Sequence, residues 1–475
     1  MPPTEPPVAI WWIRRDVRLD DNQALAAALA RGGRVLPLFI VDPHLVEGTH
    51  RNASRRRSFL WAALRALDDD LRSRGSRLVI RHGAPAVVLQ RVIAETHATV
   101  VAAEADVTPY GRRRDAAVGR VVPLETTPGL TVQPPGAHRT KAGTPYVVFT
   151  PFKRAWLAGD LPRTSDVISA PARLPAPPDV ASDDVPTDDA PAATFPASEA
   201  EARRRLDRFT GGPDAPVLRY DEHRDRVDRD GTSTLSPYLR FGMLSPRRAV
   251  ATAIALGGAS EPRSGPGVWL SELVWREFYL GILVHAPHVL RHAFDARLRA
   301  IVWRDDPDGF AAWCAGRTGY PIVDAGMRQL AATGWMHNRA RMIVASFLVK
   351  DLLIDWRAGE RWFMQQLIDG DPAANNGGWQ WTAGTGTDAA PYFRIFHPGR
   401  QGRRYDPDGD YVRRWVPELA DIRGPAVHEP ATLTPLELAA AGVRLGATYP
   451  RPIVDHRLVR DRTLAAYGAA RTRPG

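Results

Sequence analysis

The stretch DGDPAANNGGWQW, residues 369–381, sets two aspartates, two asparagines, a Gly-Gly pair and two tryptophans side by side. Carboxylates and amides resist burial unless they are hydrogen-bonded, whereas tryptophans are large apolar anchors. The stretch therefore reads as the wall of a deep pocket of mixed polarity. Three other segments carry similar chemistry. GTSTLSPYLRFG (231–242) holds Thr232, Ser233, Thr234 and Ser236 just before Pro237 and a helical run. Clustered hydroxyls at a helix start suit a phosphate, and they equally suit a plain helix cap. WLSELVWREF (269–278) spaces Trp269, Glu272, Trp275 and Arg276 three or four apart, so one helical face offers indole, carboxylate, indole and guanidinium. That face fits a flat aromatic ligand or an amphipathic core helix with an internal Arg–Glu pair. GWMHNRARM (334–342) puts Asn338, Arg341 and Met342 on one helical face and Arg339 on another, again compatible with a cavity wall or an ordinary helix.

Other motifs exclude chemistry. GTGTDA (384–389) has the spacing of a dinucleotide fingerprint, but it follows a helical, tryptophan-rich segment where the mechanism needs a strand. A Lys-Ser/Thr phosphate loop, a serine-nucleophile elbow and His-Glu-x-x-His are all missing, so hydrolase readings lose support. The single cysteine, Cys314, makes no disulfide or metal cluster and fits a reducing cytoplasm.

These side chains need elements to position them. Short apolar runs at 8–13, 35–41, 77–80 and 99–102 alternate with amphipathic segments such as SFLWAALRALDDDLRSRG, in which Phe59, Leu60, Ala63, Leu64, Leu67 and Leu71 recur at helical spacing. The pattern predicts an α/β domain with a doubly wound, Rossmann-like parallel sheet over residues 1–135. Residues 174–200 lose all periodicity to proline, alanine and aspartate and predict a long exposed connector, and 136–197 is assigned as the interdomain segment. From 198 to 475 long amphipathic stretches predict an all-α domain.

At 475 residues the chain exceeds the reach of one core, so two or more domains are expected. No apolar run is long enough to span a bilayer, and the opening MPPTEPPVAI lacks the features of a signal peptide. A soluble cytoplasmic protein is expected, with no membrane partner. The formal net charge is +10, although seven acids and no base fall between Leu174 and Glu201, so the rest of the chain is more basic still. Such an excess favours a polyanion such as nucleic acid.

Taken together, GTSTLSPYLRFG, WLSELVWREFY, GYPIVDAGMRQL, TGWMHNRARMIVASFLVKDLLIDWRAGERWF and DGDPAANNGGWQWTAGTGTDAAPYFRIFHP, in this order, resemble the photolyase and cryptochrome family. They look most like its class I cyclobutane pyrimidine dimer photolyases. WWIRRDVRLDDNQALAAAL and PPGAHRTKAGTPYVVFTPFKRAW extend the likeness to most of the chain. The resemblance implies an antenna domain followed by a helical domain that binds FAD in a folded conformation, active as FADH⁻. On that likeness Tyr220, Thr232, Ser233, Thr234, Leu235 and Ser236 grip its phosphates and ribityl chain, and Trp269 and Arg276 close the side. Asp369 pairs with Arg341 beneath the ring, Asp371 accepts from the ring imide and Asn375 faces its N5. Asparagine at that place resembles photolyases, where plant-type cryptochromes carry an acid and animal-type ones usually a cysteine. An amide cannot hand over a proton as an acid can, which favours repair over signalling.

The resemblance further implies UV-damaged DNA as partner and light-driven repair of a flipped-out dimer. Trp275 and Trp381 wedge the pyrimidine pair, Glu272 and Asn338 hydrogen-bond its bases, Met342 lies against the cyclobutane ring, and Arg339 meets a phosphate. Trp379, Trp356 and Trp303 match a three-tryptophan relay that reduces an oxidised flavin. The antenna departs from the folate-binding pattern, because Pro109, Tyr110 and Gly111 stand where an Asn-Glu pair is needed. Arg56, Asp106 and Arg240 match deazaflavin contacts, the last as arginine in place of lysine. An 8-hydroxy-5-deazaflavin is thus expected ahead of FMN, methenyltetrahydrofolate or an empty pocket. A monomer is expected, and a cryptochrome-like photoreceptor is the competing function.

Overall fold

The computed structural model describes residues 6–47, 53–187 and 195–472. Strand β1 (Val8–Ile13) is buried along its whole length, and β2 (Arg34–Val41) nearly so, as expected of continuous apolar runs covered on both faces. With β3 (Val79–His82), β4 (Val100–Glu104) and β5 (Leu124–Thr127) they form a parallel sheet in the order β3-β2-β1-β4-β5. Ile10 stands opposite Leu36 on one side and Val101 on the other. The order reverses between β1 and β4, so the carboxyl ends of these two strands form the switch point of a doubly wound sheet. Just beyond β1, Asn22 caps the helix Gln23–Arg31 by accepting from Leu25 N–H at 2.8 Å, and Arg18 pairs with Glu104 at 2.5 Å, both buried.

The residues predicted as an exposed connector are not free of the sheet. Leu174 N–H donates to Arg74 O, Ile80 N–H to Ser182 Oγ at 3.0 Å, and Asp183 N–H to Ile80 O at 2.9 Å. The connector thereby covers the β3 edge, whose unpaired backbone groups would otherwise need water. Residues 188–194 of that segment, including Asp188 and Asp189, lie outside the described residues.

By packing, the chain falls into two compact units. One is drawn from Met1–Asp221, Thr232–Pro287 and Ile368–Ala373, the other from Glu222–Gly231, His288–Leu367 and Ala374–Gly475. This partition differs from the linear one expected at 135 and 198. In the first unit the helix Gly265–His285 packs with the helix Phe149–Leu157, and buried Glu277 supplies the reason. Its carboxylate accepts from Val132 N–H at 2.5 Å and Trp156 Nε1–H at 2.6 Å, tying the helix to segments far upstream.

The second unit is helical around a core that includes Trp313, Phe347, Trp356, Phe363 and Trp379. The helix Asn338–Ser346 widens over Phe347–Asp351, where Leu352 N–H reaches back to Phe347 O. That wide turn carries the Lys350 side chain inward, where its Nζ donates to Ala383 O at 3.0 Å and lies 3.8 Å from the Tyr467 ring. Burial pulls the Lys350 ammonium down to about 7. The helix His456–Thr472 closes this core: Thr463 Oγ1 donates to Lys350 O, Arg462 Nη2 to Asp351 O and Tyr467 Oη to Ala383 O. Among the described residues no helix is long and apolar enough to cross a membrane, and no cluster of His, Cys, Asp or Glu could hold a metal ion.

Candidate active site

In the first unit the hydroxyl-rich segment leads into the short helix Ser236–Phe241. Thr234 sits at φ +50°, a left-handed conformation that costs a β-branched residue on the order of 1 kcal/mol. Arg205 holds it there, donating to Thr234 Oγ1 at 2.6 Å while its Nε pairs with Glu201 at 2.7 Å. The hydroxyls of Thr232 and Ser233 make no hydrogen bond among the described residues. Tyr220 and Trp269 are buried, each packed edge-on to Phe209, at 5.7 and 5.3 Å, and Leu235 is buried as well.

The helix Gly265–His285 carries Trp269, Glu272, Trp275 and Arg276, as the spacing predicts. Arg276 donates to Leu130 O at 2.7 Å, and burial holds its guanidinium below the usual range. Phe149, part of the quoted PPGAHRTKAGTPYVVFTPFKRAW but given no role there, stacks on Trp275.

The structure brings together two sets of residues that the sequence assigned to different ligands. Arg240 Nε donates to Gly370 O at 2.7 Å and lies 3.9 Å from the Asp371 carboxylate. Arg56 is close enough to Asp369 and Asp371 for both to raise its pKa, although burial lowers it to about 10. Arg240 falls to about 9, through burial and then repulsion from Arg15. Arg15 was not anticipated: its Nη2 pairs with Asp371 Oδ2 at 2.6 Å, while Asp371 Oδ1 caps Ala373 N–H at 2.9 Å. The Asp371 carboxylate is thus strongly engaged within this unit, beyond the imide acceptor role expected of it. Asp106 accepts from Thr108 N–H at 2.9 Å and stands 3.6 Å from Arg114. Arg15 Nη1 and Arg240 Nη1 are buried without a hydrogen-bond acceptor among the described residues.

In the second unit Asn338 opens its helix, and its Nδ2 lies 3.9 Å from Met342 Sδ, one turn on. His337 caps that helix by accepting from Arg339 N–H, and burial drives its imidazole down to about 4, so it stays neutral. Arg341 Nε donates to Met336 O at 2.8 Å. Arg339, expected at a phosphate, pairs with Asp225 at 2.7 Å and covers the Tyr405 ring at 4.4 Å, so much of its charge is matched internally.

Along the helix Pro372–Ala383, Asn375 Nδ2 donates to Glu360 O at 3.1 Å and Asn376 Nδ2 to Glu360 Oε1 at 3.0 Å. The first bond fixes the Asn375 amide, leaving its oxygen as an acceptor. Glu360, missed by the sequence reading, is pushed up to about 7 by burial. Trp379 is buried, 5.0 Å from Phe363 and 6.1 Å from Trp313, and its Nε1–H has no acceptor among the described residues. Trp356 belongs to the same core; Trp303 packs at its margin, edge-on to Tyr467 at 6.1 Å. Trp381 is half-buried.

Comparison with known proteins decides the family. The model of the FAD-binding domain of DNA photolyase matches residues 269–469, and that of DNA photolyase residues 9–178. The chain is 45% identical to the deoxyribodipyrimidine photo-lyase of Salmonella typhimurium, over 98% of this chain and 99% of that protein. The chain belongs to the DNA photolyase family. Its activity is light-dependent DNA repair, by a deoxyribodipyrimidine photo-lyase. Among solved photolyases, a class III enzyme from Agrobacterium tumefaciens matches with a TM-score of 0.90 at 40% identity, covering 98% of both chains. An archaeal photolyase from Sulfolobus tokodaii, described with two FAD molecules, matches with a TM-score of 0.82 at 31% identity, over 97% of this chain and all of that one. Photolyase membership accounts for FAD binding in this chain. Each unit by itself offers chemistry that fits FAD: in the first, the hydroxyls of Thr232 and Ser233, unpartnered among the described residues, suit phosphates, and in the second Asn375 offers an oriented acceptor.

Proposed function

We propose that this photolyase repairs cyclobutane pyrimidine dimers in DNA, and that the residues singled out by sequence divide the work. Thr232, Ser233, Thr234 and Ser236, with Tyr220 and Leu235, would hold the FAD phosphates and ribityl chain, and Trp269, Arg276, Arg341, Asp369, Asp371 and Asn375 its ring. When bound, reduced FAD supplies the photoexcited electron that opens the cyclobutane ring and accepts it back. Glu272 and Asn338 orient the two bases by hydrogen bonds, and Met342, held against Asn338, fills the space beside the ring. Trp275 and Trp381 take the flat faces of the extruded pair, replacing the stacking that leaving the duplex removes. Preorganised donors at the base carbonyls stabilise negative charge as it develops there.

The observation that carries this reading is the oriented Asn375 amide. Its N–H donates to the Glu360 carbonyl, which leaves the amide oxygen as an acceptor, and an amide offers a bound flavin no transferable proton. Trp379, Trp356 and Trp303 would relay electrons inward when the flavin is oxidised. For the antenna, the buried Nη1 groups of Arg15 and Arg240, which have no acceptor among the described residues, favour an anionic chromophore. An 8-hydroxy-5-deazaflavin comes first; a flavin nucleotide comes second, as the two FAD molecules of the Sulfolobus protein illustrate.

Illumination of the reduced protein with a thymine-dimer oligonucleotide tests the function. Ultraviolet thymine absorbance should return; if a flavin-loaded protein leaves the dimer intact under light, the proposal fails and the photoreceptor reading takes its place.

A further inference from the structure

The helix Phe149–Leu157 lies in the segment 136–197 read from sequence as interdomain, yet it braces the face of the helix Gly265–His285 that carries Glu272 and Trp275. Phe149 stacks on the Trp275 indole with ring centroids 3.7 Å apart and planes 6° from parallel. Phe152 packs on Phe278 at 5.3 Å, and Lys153 Nζ donates to Ser271 Oγ at 2.5 Å, beside Glu272. Phe149 is itself fixed, buried and edge-on to Phe278 at 5.9 Å. Trp275 meets Phe278 edge-on at 5.5 Å and Tyr279 at 5.4 Å, tilted 30°. An indole so flanked cannot turn about its side-chain bonds without displacing Phe149. One of its two faces is closed.

We propose that Phe149 is a positioning residue for lesion recognition: it fixes the plane of Trp275 and covers one face, so that a damaged base pair can stack only on the other. This rests on the reading of Trp275 as a lesion contact. The physical benefit is preorganisation. A free indole would lose rotamer freedom when a base docks, whereas a stacked one has already lost it on folding. Undamaged duplex, whose bases remain stacked, makes no use of the indole. The contribution of Phe149 therefore belongs to discrimination between damaged and undamaged DNA and leaves overall DNA affinity alone.

The test uses the full FAD-loaded chain and compares wild type with Phe149→Leu, Phe149→Met, Phe149→Tyr and Trp275→Ala. Dissociation constants are measured for a thymine-dimer duplex and for the same duplex undamaged, together with FAD content and repair yield per photon at saturating DNA. Phe149→Leu and Phe149→Met should weaken dimer binding about tenfold, the scale of an aromatic pair plus a freed side chain. Undamaged binding, FAD content and saturated yield should stay within about twofold. Phe149→Tyr, which keeps the flat ring, should restore discrimination. If Trp275→Ala loses discrimination while both aliphatic variants keep it, this inference fails alone. If Trp275→Ala keeps it too, the lesion contact falls and takes the inference with it. Loss of FAD from both aliphatic variants would make the ring a determinant of the fold and overturn the proposal as well.

Discussion

A single indole shows how packing and chemistry share a residue. Trp379 has no acceptor for its N–H among the described residues, so phenylalanine in its place sacrifices no hydrogen bond there and keeps most of the apolar contact. Trp379→Phe should fold and bind FAD, lose most photoreduction and still repair when reduced chemically; full photoreduction in that variant would remove Trp379 from the relay. Glu272→Ala and Asn338→Ala should each lower repair yield severalfold with FAD retained, and an unchanged yield in both would strike them from the site. Glu360 sets up a pH effect of definite sign. Its native pKa is raised to about 7, by burial first, against an unfolded value of 4.5. The unfolded state therefore loses its proton earlier, and stability is drained as pH rises from the unfolded to the native value. Glu360→Gln keeps an acceptor for Asn376 and escapes that cost, so it should be more stable than wild type at pH 8 by on the order of 2–3 kcal/mol. The gain should vanish near pH 4, as denaturation midpoints at the two pH values would show; a gain of equal size at both would contradict the assignment.

At the scale of elements, helices approach closely where a side chain is absent. A Cβ on Gly359, in the helix Trp356–Gln366, would stand 2.1 Å from Trp379 Cη2. Gly359→Ala should destabilise the fold by about 1–3 kcal/mol, as overpacking does, and shift the near-UV dichroism of the tryptophans. Wild-type stability would show that this contact yields freely. Which elements could be read beforehand follows from where their signals reside. β1 and β2 are buried apolar runs and announce themselves, as do the helices that carry clustered indoles and acids. β5 escaped because LETT holds no apolar run and stands half-exposed at the edge. The docking of residues 174–183 on β3 escaped because much of it is made by backbone groups, which leave no mark in a sequence. Site residues inside motifs were legible; their partners were not. Arg15 and Phe149 lie inside quoted stretches, but the first meets Asp371 and the second Trp275 from more than a hundred positions away, where no local spacing connects them.

For the whole molecule, the formal charge of +10 governs how DNA is approached rather than which DNA is chosen. Raising salt from about 50 to about 200 mM should weaken damaged and undamaged binding alike, by about tenfold or more, through counterion release. The ratio between the two should stay nearly constant, since stacking and base hydrogen bonds release few ions. A ratio that collapses with salt would place recognition in the phosphates. Arg339 should contribute little to this slope while Asp225 holds it.

The helix His456–Thr472 adds a constraint of timing. The carbonyls of Lys350, Asp351 and Ala383 receive their donors from Thr463, Arg462 and Tyr467, residues translated 113, 111 and 84 positions later. On the ribosome the Lys350 and Asp351 oxygens lack these donors, and Ala383 O has Lys350 alone, until the helix His456–Thr472 clears the exit tunnel, so the packing around them is completed only after that helix emerges.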